Sequence, residues 1–147
     1  MSADNRFLPH VLLREADTGG AAAIVMCSAP PRWPGPPLHH HAFDEAFYVL
    51  EGELVFQFGD ELRLGRRGSF AFAPRDAVHT LANLGDLPAR YLLTITPAGF
   101  ERYFDRMAAD AAGIEPPPSA QAPYPETIVI GGPIPQDTDL GTVEPLG

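Results

Sequence analysis

Pro37-Leu38-His39-His40-His41-Ala42-Phe43-Asp44-Glu45-Ala46-Phe47-Tyr48-Val49-Leu50-Glu51-Gly52 carries the densest chemical signal in the chain. Side chains of an extended backbone alternate between faces, so His39, His41 and Glu45 share one parity and His40 takes the other. Imidazoles plus a carboxylate on one face suit borderline divalent ions: Fe, Mn, Ni, Co, Cu or Zn. Calcium and magnesium prefer all-oxygen shells and fit poorly. A histidine run left by a tag would sit at a terminus, whereas this one is internal and framed by an apolar strand pattern.

Outward from this stretch the pattern is that of short strands. Glu45 to Leu50 reads as a strand rich in Phe, Tyr, Val and Leu, and Glu51-Gly52-Glu53 as a turn. Leu54 to Phe58 follows with Leu54, Phe56 and Phe58 on one face, and Gly59-Asp60 turns the chain again. Leu62 and Leu64, then Phe70 and Phe72, alternate with their neighbours; Val78 to Leu84 and Tyr91 to Ile95 add two strands. His10 to Arg14 and Ala21 to Cys27 supply two more upstream. Regularly spaced short strands with turn chemistry between them indicate an all-β sandwich or barrel. The prolines between Pro30 and Pro37 cannot donate to a ladder, so that segment reads as a stiff, extended approach to the histidines.

With these residues in view, the chain resembles the cupin superfamily. The first motif is His39-x-His41, three residues, Glu45, six residues, Gly52; the second runs from Gly68 through Pro74 and His79 to Asn83. The spacer between Gly52 and Gly68 is short, and the resemblance covers roughly residues 20 to 97. It implies a double-stranded β-helix, a jelly-roll barrel, with His79 joining His39, His41 and Glu45 around one divalent transition metal. One position departs from the pattern: Asp76 stands where a glycine is usual, two residues after Pro74. Asp tolerates the left-handed region and closes Asx turns, so the turn is expected to survive. Gly35, four residues before His39, is displaced from the usual place of the first motif's leading glycine.

Small members of the superfamily with this site and a helix after the barrel include quercetinase-like dioxygenases and the cyclases and tailoring enzymes of aromatic polyketide pathways. The resemblance therefore implies a metal-dependent oxygenase acting on an aromatic or enolic small molecule, with Glu45 as the catalytic base. Two alternatives stay open: a non-redox cyclase, isomerase or dehydratase, and a cupin that binds a small molecule without transforming it. Open coordination positions beside four protein ligands are the mark of chemistry rather than of a structural ion.

Beyond Pro97 the period changes. Phe100, Tyr103, Phe104 and Met107 recur at helical spacing, predicting a helix over about 99–112 whose apolar stripe packs as core onto the barrel of about 8–97. Glu115 to Pro125 reads as an extended, mobile Pro-rich linker within a tail of 113–147. Thr127 to Ile130 is a short β-prone run expected to add an edge strand, to a partner's barrel in preference to its own, which goes with a homodimer. Phe43, Phe47, Phe56, Phe58, Phe70, Phe72 and Tyr91 are candidates for the barrel interior, and Arg75 for a solvated rim position.

The 147 residues fit a single domain, 1–147. Ten basic against nineteen acidic side chains give a net charge of −9, which disfavours nucleic acid and anionic membrane as partners and leaves a small-molecule substrate. No apolar run is long enough to span a bilayer, no signal segment is recognisable, and the lone Cys27 fits a buried thiol in a reducing, cytoplasmic setting.

Overall fold

The computed structural model describes residues 7–147, so residues 1–6 of the expected domain lie outside the described residues. Two sheets face each other. In chain order the elements are β1 (His10–Leu13), α1 (Glu15–Thr18), β2 (Ala23–Ala29), β3 (His39–His40), β4 (Asp44–Glu51), β5 (Glu53–Phe58) and β6 (Glu61–Arg66). There follow β7 (Phe70–Ala73), β8 (His79–Ala82), β9 (Ala89–Thr96), α2 (Glu101–Ala112), β10 (Ile128–Val129) and β11 (Glu144–Pro145). One sheet has the order β1-β2-β9-β4-β7 and the other β10-β3-β8-β5-β6-β11. This is the all-β jelly roll expected from the alternation and turns, with strand ends moved by a residue or two. No helix among the described residues is long and apolar enough to cross a membrane.

The core lies between the sheets. On β2 every second residue, Ala23, Val25, Cys27 and Ala29, is buried, and on β9 the same holds for Tyr91, Leu93 and Ile95. These strands pair along their full length, Cys27 opposite Tyr91 and Val25 opposite Leu93, so one inner face is continuous across them. β5 breaks the alternation, with Leu54, Val55 and Phe56 all buried. The C-terminal tail explains it: Ile134, Leu140 and Val143 cover Val55, Leu64 and Leu84 on the outer face of that sheet, and β11 then runs parallel to β6.

Two expectations about bulk are corrected. Phe70 and Phe72 are 57% and 51% exposed and do not enter the barrel. On β7 it is Ala71 and Ala73 that face inward, opposite Phe47 and Glu45 of β4, where small side chains leave room for those two groups. The phenylalanines stand outside beside Tyr48. The tail is also more ordered in its contacts than a loose linker would be: β10 pairs antiparallel with β3 of its own chain, Ile128 opposite His40 and Val129 opposite His39.

The turn at Asp76 forms with φ 67°, and its N–H donates to the His41 carbonyl at 2.7 Å. That bond ties the second motif's turn to the first motif. Asp76→Gly keeps it and removes the Cβ from a left-handed position, so the variant should be more stable by about 0.5 kcal/mol. A denaturant titration reads this as a higher midpoint at unchanged slope.

Candidate metal centre

His39 and His41 flank the point where the chain leaves β3, Glu45 is the second residue of β4, and His79 opens β8. The run from His39 to Glu45 is therefore no single strand: β3 and β4 belong to different sheets, and the chain crosses between them at 41–43. All three side chains nevertheless end up inside, because the crossing turns the chain about the barrel axis that both sheets surround. His79 reaches the same place by pairing directly with His39 across β8 and β3. All four residues are buried, and their donor atoms lie within 4.8 Å of one another. Two donors on opposite sides of one ion at about 2.1 Å would lie ~4.2 Å apart, so a cluster spanning up to 4.8 Å needs to contract by only about half an ångström to surround one ion.

Proton accounting supports the fit. Each imidazole Nδ1–H donates to a backbone carbonyl: His39 to Pro37 at 2.7 Å, His41 to Phe43 at 3.0 Å and His79 to Ala77 at 2.8 Å. A carbonyl only accepts, so the tautomer is fixed and the neutral ring presents its Nε2 lone pair to the centre. Glu45 Oε1 lies 2.7 Å from His41 Nε2 and 2.9 Å from His79 Nε2. Lone pairs facing a carboxylate at such distances require positive charge between them, either protons or a cation. Fixing the far nitrogen by a backbone acceptor is also how metal-ligating histidines are oriented. Phe43 stacks on His41 with ring centroids 3.6 Å apart and a 5° interplanar angle, which holds that ring flat.

Burial pushes the Glu45 carboxyl up, but hydrogen bonds and charge from His41 and His79 outweigh it and hold the group at about 2. His79 is moved up, burial being outweighed by its contact with Glu45, whereas burial and its imidazole neighbours move His39 down. Deeper in the barrel, burial pushes the Cys27 thiol up to about 12 and raises the Tyr91 phenol beside it, so both stay protonated.

The four residues line a cavity of about 580 Å³ whose other walls are apolar and aromatic: Trp33, Phe47, Leu81, Tyr91, Leu93, Phe100, Tyr103, Phe104, Met107 and Tyr124. Here the helix stripe departs from its expected role as plain core. Phe100, Tyr103, Phe104 and Met107 form a wall of the cavity, and Tyr103 and Met107 remain partly open to solvent. The hydroxyl of Tyr103 was the available signal, since a dry core would have to pair it. A second cavity of about 500 Å³ near α1 is lined by Arg14, Glu15, Arg102 and Asp105, whose charges are already matched in the Arg14–Asp105 and Arg102–Glu15 pairs.

The remaining motif residues have other tasks. His40 stands outside the cluster, opposite Ile128, with its Nδ1 buried and without a hydrogen-bond partner. Arg75 is committed to Asp44, donating from its backbone N–H at 2.7 Å and from Nη2 at 3.1 Å. Asn83 is fully buried; its amide donates to the carbonyls of Ala29, Pro30 and Leu87, and its oxygen accepts from Gly85 N–H, which staples the loop before β9 to the end of β2.

Comparison with known proteins agrees with this geometry. Residues 25–95 match the family model described as the cupin domain. Over 61 residues the chain is 39% identical to the tetracenomycin polyketide synthase protein TcmJ of Streptomyces glaucescens, a match spanning 40% of this chain and 40% of that protein. Among solved structures, a Klebsiella pneumoniae protein with a double-stranded β-helix domain is similar at TM-score 0.55 and 20% identity, covering 67% of this chain and 83% of that one. The polyketide cyclase RemF of Streptomyces resistomycificus is similar at TM-score 0.54 and 21% identity, covering 60% of this chain and 63% of that one. At these identities the structural likeness speaks to the fold.

Proposed function

We propose that the protein, whose residues 25–95 match the cupin domain model, is a metal-dependent enzyme acting on an enolic or phenolic small molecule of the aromatic polyketide type, by ring closure without net redox change. The observation that carries this reading is the set of four buried donors opening onto an apolar cavity of about 580 Å³, inside the ~300–1,000 Å³ range of small-molecule sites. The identity to a tetracenomycin polyketide synthase protein supports the substrate type.

His39, His41, Glu45 and His79 would hold the ion; when bound, a divalent cation supplies Lewis acidity that favours the enolate or phenolate form of an oxygen ligand. The rest is done by this chain. The backbone carbonyls of Pro37, Phe43 and Ala77 keep the three rings aimed at the centre. The aromatic walls orient a flat ligand and exclude water, which would otherwise compete for protons and for ring-closing carbonyl carbons. Glu45, at about 2, is a carboxylate throughout the physiological range, and it becomes a useful proton acceptor only on leaving His41 and His79.

Oxygenation is the second reading, favoured by the donor set itself, because three imidazoles and a carboxylate also suit redox-active iron, manganese, nickel or copper. An assay of the metal-loaded protein with a poly-β-ketone or polyphenol, run with and without oxygen and followed by product mass, separates the two. Ring closure with loss of water and equal rates in both atmospheres is the expected result. Product that gains oxygen atoms, with no turnover under nitrogen, replaces cyclisation by oxygenation; a metal-loaded protein that binds these compounds unchanged overturns both.

A further inference from the structure

The family match stops at residue 95, yet much of the cavity wall is built after it. Phe100 caps α2 at its N-terminus, Tyr103, Phe104 and Met107 lie within it, and Tyr124 and Thr127 come from the segment that follows. That segment, expected to be mobile, is fastened at both ends. On one side Arg106 donates to the carbonyls of Ala120 at 2.6 Å and Ala122 at 2.9 Å, and Arg102 to those of Ser119 at 3.2 Å and Pro123 at 2.9 Å. Ala120 is fully buried beneath them. On the other side β10 is hydrogen-bonded to β3, with Val129 opposite the candidate ligand His39. Residues 124–127 therefore run as a strap between a helix and the strand that carries part of the metal cluster.

Tyr124 is the strap's one aromatic side chain and is held from several directions. Its ring meets Phe100 edge-on at 5.8 Å and 89°, and Tyr103 at 6.0 Å and 68°, while the Arg106 guanidinium lies 4.8 Å over its centroid. Prolines at 116, 117, 118, 123 and 125 restrict the backbone on both sides, so little entropy remains to be lost when a ligand packs against it. A preorganised aromatic surface of this kind selects by shape: it rewards ligands flat and long enough to reach it from the centre and gives nothing to ligands that stop short.

We propose that the strap, through Tyr124, is the specificity element of this cavity, selecting flat ligands of several fused rings over single rings, with Arg106 as its positioning residue. This rests on the small-molecule reading given above. The test uses the zinc-loaded full chain and two oxygen-donor probes, 1,8-dihydroxyanthraquinone and catechol, titrated by calorimetry. The unaltered protein should bind the three-ring probe at least about tenfold more tightly than catechol. Tyr124→Ala should cut three-ring affinity about tenfold and leave catechol within about twofold, Tyr124→Phe should retain the preference, and Arg106→Gln should weaken it in the same direction as Tyr124→Ala. Bound zinc, measured in parallel, should be equal in all variants, a readout that separates wall contacts from general loss of structure. A preference unchanged in Tyr124→Ala, or lost equally for both probes, overturns the strap as specificity element while leaving the site standing. If neither probe binds the zinc-loaded unaltered chain, the small-molecule reading falls, and the inference with it.

Discussion

His79→Ala should abolish stoichiometric metal binding: protein dialysed against cobalt or zinc and analysed by elemental emission should carry close to one ion per unaltered chain and close to none in the variant. His79 is one of the four donors, and its loss removes more than one contact. Its Nε2 is one of the two imidazole nitrogens that share a positive charge with the Glu45 carboxylate, and its ring is the one donor supplied by the second motif. Losing even a hydrogen-bond partner of a ligand costs about 10–100-fold in metal affinity, so losing the ligand itself should exceed ~100-fold. Glu45→Gln should act in the same direction by withdrawing the one negative charge. His40→Ala should keep its ion, because that ring is outside the cluster. Thermal melts make the same comparison in energy: an ion present at a hundred times its dissociation constant stabilises the native state by about 2.7 kcal/mol, an increment the unaltered protein and His40→Ala should show and His79→Ala should lack. Protons compete for the same Nε2 atoms, and the Glu45 contact raises the affinity of His79 for its proton. The imidazolium cannot ligate, so bound metal should be retained above neutrality and released as pH falls through the histidine range. Retention of a full equivalent by His79→Ala would remove that residue from the centre.

Why the sequence disclosed the centre and concealed its surroundings follows from the range of the interactions involved. His39, His41 and Glu45 lie within one short segment, so their convergence depends on local geometry, and the spacing of the two motifs brings His79 to them by a single strand pairing. The strands were legible for the same reason, since alternation and turn residues are local. Phe70 and Phe72 were not: a period of two states that one face is inside but not which, and the choice was made by Glu45 and Phe47 on the neighbouring strand, beside which only Ala71 and Ala73 fit. The helix stripe was legible as a stripe, but whether its apolar face meets packed side chains or a cavity is decided across the molecule. The strap's anchoring was invisible because it is made from backbone carbonyls, which every sequence has, accepting from two arginines that a sequence offers as ordinary surface charge.

Gly35→Ala should be the most damaging single methyl group that can be added outside the metal cluster. Gly35 has φ 72°, and a Cβ built there would lie 1.7 Å from the Leu81 carbonyl oxygen and 2.9 Å from its carbon, both backbone atoms that no rotamer change can move. Leu81 sits in β8, paired with Phe56 of β5 and two residues from His79, so relief requires pushing either the proline-rich approach or the strand that carries a candidate ligand. Backbone strain of roughly 1–3 kcal/mol and overpacking of about the same size should combine to a loss on the order of 3–5 kcal/mol, a large part of a typical domain's total. Gly68→Ala separates the two contributions. Gly68 also has positive φ, 89°, but a Cβ there meets nothing within 4 Å, so only the conformational penalty of ~1 kcal/mol applies. Denaturant midpoints of the two variants should therefore differ by several-fold in their displacement from the unaltered protein, and Gly35→Ala alone should also lose bound metal through displacement of His79. Equal, small shifts in both would mean that the approach segment yields easily and that the close passage of Gly35 over β8 does not set the position of the centre.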